Sequence, residues 1–324
     1  MDWNIGIRIL SSILSESAPL VFAVIGETLT EKAGVINLSL DGSILLSAMI
    51  AFAVASLSGS LAAGFLCAMA VGGLIALIVV VGSIELRQDQ VSIGFILTLV
   101  TTDLSSFLGN PFVRVPGPAV PPLPIPYLKE IPVLGPVLFN HNIVTYGSFV
   151  LIGLGWFWLF RTRPGLEVQA VGEHPAAAFA RGMDVRRLRY AYTLVGGALV
   201  GIAGAGYSLN VKLGWSYQHT LGIGWIALAI VIFGGWNPLR AAMGTFLFGA
   251  LQSMAGLFQG ILPGVPMQAF QVAPFMLMIV VLVLVSSDLL DRFLGLLPEA
   301  VGRSLRGVIQ VTPPSALGKP FERG

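Results

Sequence analysis

Four carboxylates, Glu16, Glu27, Asp41 and Asp103, fall inside long apolar stretches of a chain with only 16 acidic residues among 324. An acid in hydrocarbon is costly and usually faces a polar path or a partner, so a proton or ion relay is one chemistry they could serve. They cluster in the first third of the chain, near expected helix ends, which suits interfacial or helix-capping carboxylates equally well. Asp41 has the most distinctive setting, GVINLSLDG, where Gly34 and Gly42 bracket Asn37 and Ser39. Glycine at both ends lets a helix break and expose backbone groups, which a membrane tolerates only where they line a cavity or are buried in protein. Freed N–H groups at a half-helix start can hold a polar solute near the midplane. Close glycine-mediated helix packing is the competing reading. A second interruption, GGWNP at 234–238, places an indole, an amide and a helix-starting proline between two apolar runs in the other half of the chain. Asn37, Asp41, Trp236 and Asn237 are therefore the residues expected to line a path, and the two interruptions hint at an internal repeat.

Other chemistries lack their residues. A phosphate-cradling P-loop needs a Gly-rich turn ending in GK[ST], but Lys32, Lys129, Lys212 and Lys319 are followed by Ala, Glu, Leu and Pro. HExxH and GxSxG are missing, and His141, His174 and His219 lie far apart in expected loops, so neither a metal site nor a hydrolase site is expected. Cys67 is the one cysteine; no intrachain disulfide is possible, and its apolar surroundings suit a small buried side chain.

The elements that must carry these residues are membrane helices. The chain is 55% hydrophobic and 10% charged, with a mean hydropathy of +0.86, against roughly 25% charge in an average soluble domain. So little charge cannot cover a soluble globule, which excludes ordinary enzyme folds and disorder, and a net charge of +2 does not suggest nucleic acid. Apolar segments lie near 9–29, 40–57, 61–81, 91–108, 143–160, 190–208, 221–235, 240–260 and 267–286. Several are shorter than a full span or carry Gly or Pro. The expected fold is an all-α polytopic integral membrane protein with about 8–10 transmembrane helices, some broken or re-entrant. MDWNIGIRIL lacks the basic region of a cleaved signal peptide, so the first segment is expected to be retained.

Charge placement orients the helices. Residues 109–142 hold nine prolines and, as cations, only Arg114 and Lys129, which suits an external loop. Residues 161–189 hold six of the 18 basic residues, Arg161, Arg163, Arg181, Arg186, Arg187 and Arg189, which the positive-inside rule places in the cytoplasm. Four apolar segments follow, returning the 291–324 tail with its cations to the same side. The expected organisation is thus a 1–290 transmembrane domain and a cytoplasmic tail; the side of the N-terminus depends on whether an early segment is re-entrant.

Three stretches, TEKAGVINLSLDGSILLSA at 30–48, GLEVQAVGEHPAAAFARGMDVRRLR at 165–189 and GIGWIALAIVIFGGWNPLRAAMGTFLFGAL at 222–251, occur in the order and spacing of bacterial ABC importer permeases. The chain resembles the superfamily of branched-chain amino acid and ribose-type sugar permeases, and most of all the nucleoside, basic-membrane-protein-associated branch, over roughly 20–290. Asp41 stands where that branch more often has Glu.

The resemblance implies a permease subunit in the bacterial inner membrane that moves nucleosides or related solutes by alternating access. It would carry no cofactor of its own, with ATP and Mg on partner ATPase subunits, an extracytoplasmic substrate-binding protein as donor, and a second permease chain completing the path. It also implies a coupling helix that docks on the ATPase, centred on Glu173, His174, Pro175, Ala176, Ala177 and Ala178, with Arg181 and Gly182 behind it. Pro175 can start a short helix and the alanines give it a slim face. Two alternatives remain at this point: an ion-gradient-driven secondary transporter using the intramembrane acids, and an ABC permease for simple sugars or branched-chain amino acids.

Overall fold

The computed structural model describes residues 3–261, the single positions 272, 276, 279 and 280, and residues 312–321. Among the described residues eleven α-helices are formed: α1 Trp3–Lys32, α2 Leu40–Ser58, α3 Leu61–Ile84, α4 Gln90–Gly109, α5 Leu134–Leu138, α6 Ile143–Arg161, α7 Arg163–Glu173, α8 Pro175–Ala180, α9 Val185–Gly206, α10 Ile223–Phe233 and α11 Pro238–Ile261. Among the described residues the only β-structure is two isolated bridges. Six of the described stretches are long and apolar enough to cross a membrane: α1 to α4, α6, and α9 with the π-helical turn Tyr207–Val211 that follows it. Most of the expected segment at 267–286 and most of the 291–324 tail lie outside the described residues.

Polar caps fix where the helices start, because the first N–H groups of a helix have no partner within it. Ser60, Asp89, Asn142, Thr162 and Asp184 each accept a backbone N–H three residues on. Asp89 accepts both the N–H and the hydroxyl of Ser92 at 2.8 Å, and these bonds hold its pKa below the ordinary carboxylate value. With the folded value depressed, the cap stabilises the fold above the unfolded pKa and loses that contribution as pH falls through the folded one. Thermal scans in detergent should therefore show Asp89→Ala melting below the wild type at neutral pH, with the gap closing in acid. A gap unchanged by acid would show that the charge does not carry the cap.

α2 is buried on nearly every side and is the hub of the bundle, with Leu40, Ile44, Met49 and Phe52 shared between two core clusters. α9 packs against α1, α2 and α3 through the small residues of GGALVGIAGAG. A Cβ at Gly26 would sit 2.6 Å from the Gly196 carbonyl oxygen, and one at Gly197 would sit 2.6 Å from that of Gly72. The stretch is a packing seam, as its spacing suggests.

The bundle has two distinct ends. At one, the N-terminal half of α1 meets the proline-rich segment, and Asn142 at the start of α6 bonds Asn210. At the other, the C-terminus of α1, the α3–α4 turn, α7, α8, the start of α9 and residues 312–321 converge. Arg186 there pairs with Glu85, Gly172 lies against the Lys32 carbonyl, and the Gly318 N–H donates to the Gly34 carbonyl.

Candidate functional site

The residues 33–39 between α1 and α2 form an irregular, almost wholly buried link. Gly34, at φ +87°, turns the chain out of α1, a conformation open chiefly to glycine. Gly42 does not break a helix. It lies inside α2, where a side chain would collide with Thr98 and Thr101 of α4, so one glycine of the pair is a turn and the other a packing contact.

The link is lined with polar groups that satisfy its backbone. Asn37 donates its N–H to Glu27 Oε1 at 3.1 Å, and its own Oδ1 accepts from the Ser39 N–H and hydroxyl. Asp41 Oδ1 accepts the Gly224 N–H at 2.9 Å. Gly224 belongs to the first turn of α10, so Asp41 supplies an acceptor and a negative charge where helix N–H groups are orphaned. At the other end of α10, the Trp236 indole N–H donates to Glu31 Oε2. Asn237 caps α11, its Oδ1 accepting the Leu239 N–H at 3.0 Å.

α10 is therefore held at both ends by carboxylates from α1 and α2. Its 11 residues rise about 16 Å, half of a hydrocarbon core of about 30 Å. The sequence places an interruption here, and the structure gives it the form of a half-length helix. Asn37, Asp41 and Trp236 are each at most 4% exposed, Asp41 at the start of α10 and Trp236 beyond its end, with Asn237 half-buried next to Trp236. In this conformation each of the four uses a side-chain polar atom in a hydrogen bond within the chain.

The other intramembrane acids divide. Glu27 and Glu31, one turn apart on α1, are 0% and 4% exposed. Glu16 accepts from the Ser12 hydroxyl at 2.8 Å beside a cavity of about 620 Å3, lined also by Arg8, His141, Asn142 and Asn210. Asp103 is exposed on the outer face of α4, among Leu99, Val100, Leu104 and Phe107. A second cavity of about 570 Å3, with Arg114, Lys212 and His219 in its wall, lies where the proline-rich segment meets the turn after α9.

At the opposite end, Pro175 starts α8, as the sequence suggests, and the helix ends after six residues at Arg181 and Gly182. Ala178 is buried against Val171 and Val185, whereas Ala176, Ala177, His174, Arg181 and Gly182 are exposed. Glu173 is engaged within the chain: its Oε2 accepts the Ser315 N–H and hydroxyl at 3.0 and 2.9 Å. The Phe321 ring contacts that of Phe179 at 5.6 Å, so residues 312–321 lie along α8.

Sequence reasoning passed over Glu31, Ser315 and the burial of Arg189. Glu31 and Arg189 were visible only as members of charged clusters. A helical stripe could have singled out the arginine, since Val185, Arg189, Tyr192 and Gly196 share one face of α9 and all are buried.

Comparison with known proteins agrees with this architecture. The family described as branched-chain amino acid transport system / permease component matches residues 9–282. The nucleoside ABC transporter permease protein NupC of Lactococcus lactis subsp. cremoris is 32% identical over 85% of this chain and 91% of its own. The guanosine ABC transporter permease protein NupQ of Bacillus subtilis is 31% identical over 85% and 90%. A Haloferax volcanii protein assigned provisionally to glucose ABC transport as a permease is 34% identical over 76% of each chain. No solved structure matches. With a helical bundle among its described residues, six of whose helices are long and apolar enough to cross a membrane, and a family match over most of its length, the chain belongs to the branched-chain amino acid transport system / permease component family.

Proposed function

We propose that this chain is the permease subunit of an ATP-driven nucleoside importer in a bacterial inner membrane, with the 161–189 end in the cytoplasm. The observation that carries the reading is α8, a short helix at the end of the bundle with exposed Ala176 and Ala177, fixed beneath by Ala178 and flanked by exposed His174 and Arg181. Such a helix suits the groove of a separate ATPase, which would hold ATP and Mg. ATP-driven closure of the paired ATPases would push on α8, and α7 and α9 would pass the movement to the bundle.

The cavity walled by Arg114, Lys212 and His219 suits an acidic surface of an extracytoplasmic binding protein. A lone acid among apolar side chains is costly against lipid, so exposed Asp103 favours a second permease chain and a watered path along α4. Asn37, Asp41, Trp236 and Asn237 would reach that path when α10 shifts. The nucleoside assignment draws on the solutes named for NupC and NupQ; the relative named for glucose makes a sugar the competitor to test.

The test is uptake by the chain reconstituted with its ATPase, companion permease and binding protein. Labelled guanosine, and not glucose or leucine, is expected to accumulate only with ATP. Uptake by this chain alone, driven by a proton or sodium gradient and indifferent to ATP, would overturn the ABC reading. ATP-driven glucose uptake would overturn the solute alone.

A further inference from the structure

Arg189 is the largest fully buried side chain among the described residues, at 1% exposure, in the second turn of α9. A guanidinium presents five N–H donors. Nη1 donates to the Lys319 carbonyl at 3.0 Å, while Nε and Nη2 have no partner, and no carboxylate lies within salt-bridge distance among the described residues. The nearby carboxylate, Glu85, is taken by Arg186 and the Tyr190 hydroxyl. Gly34 leaves room for the buried group, since a Cβ there would lie 3.1 Å from Nη2. A buried cation with most of its donors idle is strongly unfavourable, and structures that keep one usually supply an anion.

Space for one is present. A cavity of about 20 Å3 lies against Arg189 between the end of α3, the start of α9 and residues 312–321. Arg87 and Arg186 share its wall, with Ser83, Pro320 and Phe321 completing it. Arg87 and Pro320 are exposed and form its rim, while Ser83 and Arg189 are buried and form its floor. The volume admits one or two water-sized groups, by the rule that one water needs about 10–15 Å3. The oxygens of a phosphate group could enter while the rest of the ligand stays outside.

We propose that this pocket binds a phosphate-type oxyanion, held by Arg189 at its floor, with residues 312–321 closing over it. Both a free phosphate and the headgroup of an anionic phospholipid have this chemistry, and the site lies at the helix ends, where either can reach it. An occupant would tie α3, α9 and the tail together beside α8. The inference does not depend on the solute or on the ATPase.

The full chain, purified in detergent and in nanodiscs, provides the test. Its thermal midpoint is compared in sodium phosphate and in sodium chloride at equal ionic strength. Native mass spectrometry compares retention of phosphatidylglycerol with that of phosphatidylcholine. A midpoint raised by phosphate more in the wild type than in Arg189→Gln identifies the free anion as occupant, since general salt stabilisation acts on both; selective retention of phosphatidylglycerol identifies the headgroup; either outcome supports the site. Arg189→Gln is expected to weaken the response at least about tenfold, the loss of a charge-assisted bond pair. Should that variant fail to fold, Arg189→Lys, which keeps the charge but loses the guanidinium's fork of donors, is expected to weaken it in a folded chain. A wild-type chain that responds equally to phosphate and chloride and retains both lipids alike would overturn the proposal, leaving a pocket filled by water.

Discussion

Deleting residues 174–178 is expected to leave a chain that inserts and assembles with normal yield but takes up no solute above background, while ATP hydrolysis by the partner loses its response to solute. The deletion takes away the exposed Ala176–Ala177 face and the Ala178 anchor together. The caps at Thr162 and Asp184, which start α7 and α9, lie outside it and should survive. Glu173 needs a separate reading, because its carboxylate already accepts two bonds from Ser315. Glu173→Gln keeps an acceptor for the tail and should retain most uptake. Glu173→Ala releases residues 312–321 and should impair coupling more, through the tail as well as through any bond to the ATPase. Normal uptake by the deletion variant would remove α8 from the coupling role. Equal loss in both Glu173 variants would place the carboxylate's charge, rather than its hold on the tail, in the contact with the partner.

Much of this arrangement is legible in the sequence because membrane helices announce themselves by composition. The segments read at 40–57, 61–81, 91–108 and 143–160 match α2, α3, α4 and α6 to within a few residues, since each is a continuous apolar run ended by polar or turn residues. The proline that opens α8 is equally visible. Gly42 shows the limit: a glycine that breaks a helix and one that lets another helix approach have the same local sequence, and only the position of Thr98 and Thr101 separates them. Arg189 shows another. An arginine in a basic loop reads as a charge that fixes orientation, and its burial follows from the paths of Gly34 and Lys319, which no local pattern specifies. Bonds such as Glu31 to Trp236 join residues 205 positions apart, so a single sequence holds their ends without the pairing.

That pairing should be the strongest single tie between the α1–α2 region and the α10–α11 turn. Trp236 sits at φ +53°, a left-handed conformation that costs a non-glycine residue about 1–3 kcal/mol unless its surroundings hold it there. Its indole N–H bond to Glu31, both groups buried, is the evident restraint. Trp236→Phe keeps the ring and the strained backbone but leaves a Glu31 oxygen buried without that donor, at an expected cost of about 1.5–3 kcal/mol. Glu31→Ala should cost at least as much, because it orphans the indole and opens space beside it. Glu31→Gln, which keeps an acceptor oxygen, should cost less. In a double-mutant cycle the Trp236→Phe/Glu31→Ala chain is expected to be little worse than Glu31→Ala alone, since the second change removes a donor that has already lost its acceptor. Strict additivity would show that the two side chains do not act on each other. Uptake separates stability from function. If α10 must shift for Asn37 and Asp41 to meet the path, Trp236→Phe releases one of its two ends while Asp41 still holds the other through Gly224. ATP hydrolysis should then run faster than in the wild type without solute present, as the half-helix leaves its resting position more readily; an unchanged basal rate would mean that α10 does not move in the cycle.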